Sequence, residues 1–375
     1  DFPFIGGGAG YLGYEFGNYL ERLPFRRKDD LFLDELRFDF YQFILGYEHK
    51  CSRWYLLGFE SERMPESYLD FLDKLYRLLE RPALQAKQEE YFSSYLKSSF
   101  SREQYFYALR RAKEYIIKGD IYQVNLTQRF SAEYKGDLFQ LYLRLRQYNP
   151  GAYSGMLVYP DFVILSSSPE LFLKVRADEV ITRPIKGTCA RVKNQAEDEK
   201  NKNKLLQSEK NLAELAMIVD LERNDLGRVC DYGSVEVVGY PELESYSRVH
   251  HLVATIKGRL AKEKDVFDLL KATFPGGSIT GAPKIRAMEI IDELEPVMRG
   301  PYTGSIGWIG FNQNLELNIA IRIMIAKDGW VHFPAGGGIV YDSEAELEYE
   351  ESWVKALALW EALCAGKKEE ERVVS

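Results

Sequence analysis

Several positions in this 375-residue chain have the residue types and spacing that chemistry on a small polyanion would need. Glu214 stands inside Leu212–Val219, where the other residues are all apolar. A helix over about 196–226 would be apolar nearly all round there and should be buried. A buried carboxylate without a partner is costly. Glu214 should therefore meet a cation, either in a structural salt bridge or as a ligand of Mg2+, which prefers oxygen. Further on, Ser343 and Glu346 have capping-box spacing, and Glu344, Glu348, Glu351 and Lys355 fall on one helical stripe. Acidic residues at a helix start are also at home in water, so the stripe is either a solvated face or a second acidic site. Between these regions, Phe274–Lys284 mixes glycines with the hydroxyls of Ser278 and Thr280 and leads into Pro283, a good first residue of a helix. Backbone N–H groups at such a start can bind an anion. A second glycine-rich turn is expected at Ala335-Gly336-Gly337-Gly338, and Arg322 could supply a bidentate contact to a carboxylate. Together these features suggest a site for a small polyanion with a metal. His250 and His251 share an expected strand over 248–256, so only one can face a site. A structural or surface role is expected of each histidine, His49 and His332 included.

The elements that must position these residues are partly readable. Ser101 and Gln104 have capping-box spacing, and Tyr105, Leu109, Ala112 and Ile116 then recur at helical spacing until Gly119. Residues 121–130 read as a strand with Tyr122, Val124, Leu126 and Phe130 on one face and Gln123, Asn125, Thr127 and Arg129 on the other. Such a polar face meets water or lines a cavity; the pattern alone favours water. A hairpin is expected over 156–166, turning at Tyr159-Pro160-Asp161, and one alternating strand over 315–325. Residues 38–59 suggest strands, and 61–97 a charged helical stretch containing Pro82. The glycines Gly6-Gly7-Gly8 fit neither phosphate-loop spacing and are expected in a tight turn. Antiparallel-looking strand clusters separated by a few long helices indicate an α+β fold. A soft boundary near residue 98 separates an N-terminal region (1–98) from a core (99–366), with a solvated charged tail at 367–375.

Composition narrows the function classes. The chain is 46% hydrophobic and 28% charged, with a net charge of −8 and a pI near 5.4. That argues against nucleic acid or an anionic membrane as main partner. Cys51, Cys189, Cys230 and Cys364 are widely spaced, which disfavours a zinc site or disulfide framework and makes a reducing cytoplasm the default. No apolar run is long enough to span a bilayer. The start, Asp1-Phe2-Pro3-Phe4, lacks an initiator Met and the features of a signal peptide, and is read as incomplete.

Five segments together resemble the chorismate-utilising enzymes: Ile185-Lys186-Gly187-Thr188, Asp220 to Leu226, Pro275 to Lys284, Tyr302-Thr303-Gly304 and Ala335 to Gly338. The likeness runs from residue 3 to about 362 in matching order. That family includes anthranilate, aminodeoxychorismate, isochorismate and salicylate synthases. It implies an anthranilate synthase component I-like fold, with two antiparallel β-sheets packed as a sandwich, helices outside and a deep site between. A cavity then becomes the expected setting of the polar faces around Gln123 and Arg322. The resemblance implies Mg2+ held by Glu214 and Glu351 with Glu348 nearby. It also implies substrate contacts from Gln123, Thr188, Ser278, Tyr302, Arg322, Gly336, Gly337, Gly338 and Lys355. Glu170 would be the acid that helps the C4 hydroxyl leave, and His251 the site histidine. At position 186 anthranilate synthases typically carry Ala and aminodeoxychorismate synthases Lys. At position 123 the water-adding members carry Lys. Gln123 with Lys186 therefore resembles the aminodeoxychorismate branch: attack of Lys186 on C2 of chorismate, then amination at C4. The ammonia would come from a glutamine amidotransferase partner, since this chain shows no glutamine-hydrolysing Cys/His arrangement. Alternatives are an anthranilate synthase component I, or a non-catalytic chorismate-binding regulatory subunit. Family members usually carry a further segment before the Pro3-Phe4 region.

Overall fold

The computed structural model describes residues 2–59, 67–81, 92–93, 96–246 and 248–365. Pro82 and the charged tail 367–375 lie outside the described residues. In chain order the elements begin with β1 (Gly7–Leu12), α1 (Gly17–Leu20), β2 (Leu36–Tyr41), β3 (Phe43–Glu48), β4 (Arg53–Gly58), α2 (Tyr68–Leu79), β5 (Phe92–Ser93) and β6 (Lys97–Ser98). Next come α3 (Arg102–Ile117), β7 (Gln123–Lys135), α4 (Leu138–Tyr148), β8 (Tyr153–Val158), β9 (Val163–Ser168), β10 (Leu171–Arg176), β11 (Glu179–Arg183) and β12 (Ile185–Ala190). Helices α5 (Gln195–Leu206) and α6 (Glu209–Gly227) precede β13 (Glu236–Ser245), β14 (Val249–Arg259) and α7 (Val266–Thr273). The chain closes with β15 (Gly281–Ala282), α8 (Lys284–Leu294), β16 (Ser305–Gly310), β17 (Leu315–Asn318), β18 (Ile323–Lys327), β19 (Trp330–Ile339) and α9 (Ala345–Cys364).

Apart from the β3–β4 hairpin, the described strands form two large antiparallel sheets, as expected of this α+β fold. The first runs β12-β14-β11-β10-β17-β16-β1-β2, with β13 also on β14. The second runs β15-β7-β19-β18-β9-β8, with β5 and β6 on β7. A buried cluster including Tyr11, Ile164, Tyr302, Ile306 and Ile323 joins strands of both sheets. Helices cover the other sides. Leu141, Leu145, Ala356 and Leu359 of α4 and α9 pack on Phe130, Met324 and Phe333 of the second sheet. Leu109, Leu215, Leu269 and Ile290, from α3, α6, α7 and α8, pack with Leu173, Leu252 and Leu317 of the first. β1 pairs with β16 along its whole length, so the proposed boundary near residue 98 runs through a shared sheet.

Local expectations fared unevenly. Helix α3 carries the Ser101–Gln104 capping box and buries Tyr105, Leu109 and Ala112. The hairpin β8–β9 turns where Tyr159 N donates to Phe162 O. By contrast, Gly7 and Gly8 lie in strand β1 rather than a turn, as does Gly10. A side chain at Gly7 or Gly10 would collide with the carbonyls of Ile309 or Arg37 on the strands beside it. The glycine-rich turn at 335–338 is likewise part of β19, paired with β7 throughout. The single helix expected over 196–226 is two helices, restarted at Ser208, whose hydroxyl accepts from Asn211 N. Helix α6 is not buried all round. Ala213 and Ala216 face outward, and its inner face carries Leu215, Ile218, Val219, Glu222, Asp225 and Leu226. Ser343 does not cap α9 with Glu346. Its hydroxyl donates to Glu348 Oε1 at 2.6 Å, while Glu346 pairs with Arg102. The continuous strand expected over 315–325 is divided: β17 belongs to the first sheet and β18 to the second.

Candidate active site

Two crossings between the sheets carry the first pair of site residues. β9 passes to β10 through Pro169 and Glu170, and β17 passes to β18 through Ile319–Arg322. The crossings are laced together: Ile319 N donates to Glu170 O at 3.0 Å, Ser167 N to Arg322 O at 3.1 Å, and Ser168 Oγ to Ile319 O at 2.6 Å. Arg322 takes the left-handed backbone conformation, φ 51°. For a residue with a Cβ this costs roughly 1 kcal/mol or more, so the surrounding hydrogen bonds must hold it. The turn Tyr302–Gly304 braces the same crossing, with Thr303 N on Ala320 O at 2.8 Å. Tyr302 itself packs in the core between the sheets. Burial pushes the Glu170 carboxyl above its usual range, against the Ser278 hydroxyl, Lys186 and Arg322, which favour the anion. Burial also lowers the Arg322 guanidinium, and Glu170 opposes that.

A bulge positions the lysine. Register between β12 and β14 shifts between Ile185 and Thr188, and Gly187 takes φ 77°, where a side chain would also press on Asn211 and Leu205. Bulges of this kind redirect a side chain. Lys186 Nζ donates to Ser278 O at 3.1 Å. Burial pushes its amine below the ordinary lysine range, while Glu214 and Glu170 pull it back up. On β14, His250 and His251 point opposite ways. His250 is tied to Asp198 at 3.0 Å and Ser245 at 2.8 Å. His251 Nδ1 meets the otherwise exposed Thr188 Oγ1 at 2.8 Å, and burial, with Arg322 near, lowers it to about 4, so it is neutral at pH 7.

The second sheet supplies the opposite wall. Both faces of β7 are buried over 123–130, so the polar face does not meet water. This corrects the reading from pattern alone. Asn125 on that face donates to Ser278 O and Thr127 to Glu295, partners distant in sequence that alternation cannot foresee. Gly336, Gly337 and Gly338 pair with Thr127, Leu126 and Asn125. A Cβ at Gly336 would strike Leu126 O, and one at Gly338 would strike the Gln123 amide, which fills that space. A Cβ at Gly337 would lie 3.3 Å from both Glu348 Oε2 and Glu351 Oε1. These two carboxylates thus converge beside bare backbone. Glu351 is held below its usual range: burial would raise it, but Lys355, 2.7 Å away, prevails. Burial raises Glu348. Lys355 Nζ also donates to Gly336 O at 2.8 Å. Glu214 is half-buried on α6 and faces Lys186 electrostatically. Among the described residues no three His, Cys, Asp or Glu side chains close on one point. Two converging carboxylates nevertheless fit Mg2+, which commonly takes one or two and completes its shell with water and substrate oxygen.

Several buried polar atoms without partners meet here. Gln123 Nε2 and Oε1, Ser166 Oγ, Glu170 Oε1 and His251 Nε2 are buried and have no hydrogen-bond partner. Native interiors rarely leave such groups unsatisfied, so this cluster is built for a polar ligand. Two contributors were not singled out from sequence. Asn125 Nδ2 donates to Ser278 O at 3.0 Å and so fixes the acceptor of Lys186. Glu222 is buried on the inner stripe of α6, where its spacing from Leu215 and Ile218 could have marked it.

Comparison with known proteins agrees with this architecture. The chorismate binding enzyme family model matches residues 3–361. The chain is 40% identical to aminodeoxychorismate synthase component 1 of Bacillus subtilis (strain 168), over 98% of this chain and 79% of that protein. It is 42% identical to anthranilate synthase component 1 of Thermus thermophilus, over 96% of this chain and 78% of that one. The crystal structure of anthranilate synthase component I from Streptococcus pneumoniae TIGR4 superposes with a TM-score of 0.89 at 36% identity, covering 96% of this chain and 81% of that chain. With its two laced sheets and the orphaned polar groups between them, this chain belongs to the chorismate binding enzymes and is a chorismate-utilising enzyme.

Proposed function

We propose that the enzyme aminates chorismate at C4 to give 4-amino-4-deoxychorismate, with Lys186 as nucleophile. The observation that carries this reading is the placement of a lysine, lowered by burial, beside a protonatable Glu170. In its neutral form the Lys186 amine attacks C2, both conjugated ring double bonds shift by one position, and the C4–O bond breaks. Glu170 gives its proton to the departing hydroxyl, which leaves as water. Ammonia then bonds to C4, both double bonds shift back, the C2–N bond to Lys186 breaks, and the surplus proton returns to Glu170. One difficult substitution becomes two easier ones. Arg322, Lys355, Ser278 and the Gly336–Gly338 backbone bind and orient the two carboxylates. His251, neutral and anchored by Thr188, offers Nε2 to a polar group, and Gln123 takes the place of a water-activating base. Mg2+, held by Glu351 and Glu348 with Glu214 across the site, would supply Lewis-acid polarisation of the ring carboxylate.

Relatives carry the name component 1, and a second component, a glutamine amidotransferase, is the proposed ammonia source. The site acts in the cytoplasm on this reading; among the described residues no helix is long and apolar enough to cross a membrane. Anthranilate synthases of similar identity make that activity the second reading. Chromatography of the product from chorismate, Mg2+ and ammonium distinguishes the two. The proposal expects aminodeoxychorismate; anthranilate as main product overturns it, and no turnover at all would favour a regulatory subunit.

A further inference from the structure

Three lysines favour the ionised form of Glu351: Lys355, Lys210 and Lys186. Two are committed within the site. Lys355 pairs with Glu351 and donates to Gly336 O, and Lys186 donates to Ser278 O. The third, Lys210 on α6, has no part in the chemistry above. Its Nζ lies 3.9 Å from Glu348 Oε1, and among the described residues that is its one ion pair. The two partners differ in exposure: 5% of the Glu348 side chain is open to solvent, against 57% for Lys210.

Its own helix gives Lys210 no reason to carry a charge there. Helix α6 starts after its N-cap Ser208, so Lys210 stands in the first turn, where the macrodipole disfavours a cation. Among the described residues it forms no ion pair with Glu214, one turn along; the ammonium reaches across to α9 instead. The next residue, Asn211, is held by the Ser208 hydroxyl and lies against Gly187 of the β12 bulge. The start of α6 is thus fixed beside the site, while the stem of Lys210 stays loose. On the other side, the two oxygens of Glu348 face different ways. Oε1 accepts from Ser343 at 2.6 Å and faces Lys210, whereas Oε2 converges with Glu351 Oε1 beside Gly337. A cation taken up by the converging oxygens would share Glu348 with Lys210.

We infer that Lys210 is a counter-charge that sets how tightly the carboxylate pair takes Mg2+: it balances Glu348 while the metal is away, and it weakens metal binding by sharing that carboxylate. A buried carboxylate without a cation is costly, so Glu348 needs such a partner in the metal-free protein. A long, exposed ammonium makes only a weak pair and can give way when the metal enters. Two cations on one carboxylate repel each other, so Mg2+ is held less tightly than the same carboxylates would otherwise hold it. The inference rests on the proposed metal roles of Glu348 and Glu351.

The test is Mg2+ binding to the full chain, measured by titration calorimetry at low salt without chorismate, so that no turnover enters the reading. Removing a unit charge that shares a carboxylate with a divalent ion should tighten Mg2+ binding roughly tenfold in Lys210→Met. Lys210→Arg, which keeps the charge, should stay within about twofold of wild type. Added salt should narrow the gap between Lys210→Met and wild type. The rise in melting temperature on adding Mg2+ should be larger in Lys210→Met, since tighter binding to the folded state stabilises it more. Glu351→Gln keeps the two claims apart. If that variant binds Mg2+ as wild type does, the metal assignment fails and the inference with it. If it binds more weakly while Lys210→Met binds no tighter than wild type, the assignment stands and the inference is overturned.

Discussion

Replacing Arg299 by Met should cost the protein about 4 kcal/mol and slow the reaction, because one buried guanidinium holds both the fold and the lysine's acceptor. Arg299 makes five side-chain hydrogen bonds: Nε and Nη2 to the two Glu295 oxygens at 2.8 and 2.7 Å, Nη2 to Asn125 O at 2.8 Å, and Nη1 to Ile279 O at 3.1 Å and Thr303 Oγ1 at 3.3 Å. Removing one partner of a buried ion pair costs about 3–5 kcal/mol. The stranded carbonyls of Asn125 and Ile279 add to that, while Arg27, 3.8 Å from Glu295 Oε2, relieves part of it. The middle of the range follows. Those same carbonyls flank Ser278, whose own carbonyl accepts from Lys186 and Asn125, so kcat should fall even at temperatures where the variant is folded. Urea unfolding of wild type and variant measures the stability term. Adding Glu295→Gln to the variant should recover at least about 1 kcal/mol, since an uncompensated buried charge is then removed. A cost below about 1 kcal/mol, the scale of a surface ion pair, or a double variant weaker than the single one, would refute the reasoning.

Other consequences are open to direct measurement. A methyl group at Gly338 collides with the Gln123 amide, so Gly338→Ala should raise KM for chorismate at least tenfold while melting close to wild type; an unchanged KM would show that Gln123 does not bound the substrate space. Folded Glu222 keeps its proton up to about 8 against an ordinary 4.5, so the folded state holds a proton that the unfolded chain loses between those values. Its contribution to stability is full below pH 4.5 and fades as pH rises through 8. Relative to Glu222→Gln, the wild type should lose up to roughly 5 kcal/mol over that window, readable from urea midpoints at pH 5 and 8.5; parallel curves would contradict it. Glu351→Gln should raise the Mg2+ concentration for half-maximal rate by at least tenfold, and an unaltered Mg2+ dependence would remove Glu351 from the metal assignment.

What the sequence revealed depended on whether the signal was local. The α3 cap and the β8–β9 hairpin are short-range features, and both are present. The alternation of His250 and His251 likewise predicted that one would turn away, and His250 does so towards Asp198. The division of 315–325 was not legible, because alternation continues unbroken while the chain leaves one sheet for the other; only the left-handed Arg322 marks the crossing. Glycines 336–338 read as a turn because glycine weakens strands in general. Here they admit the backbone of β7 and the Gln123 amide. Composition drew attention to Glu214 as the buried carboxylate of α6, but helical phase puts Glu222 on the inner face and leaves Glu214 half-buried at the site. The convergence of Glu348 and Glu351 on Gly337 joins elements that are near in sequence but meet only through the β19–α9 connection.

The most direct test of the account is the product spectrum of Lys186→Ala with chorismate, Mg2+ and saturating ammonium, read beside chorismate binding by calorimetry. If the lysine amine is the nucleophile, the variant binds chorismate within a few-fold of wild type and forms no 4-amino-4-deoxychorismate. Undiminished aminodeoxychorismate from Lys186→Ala would contradict the covalent route and leave Lys186 as a binding residue only.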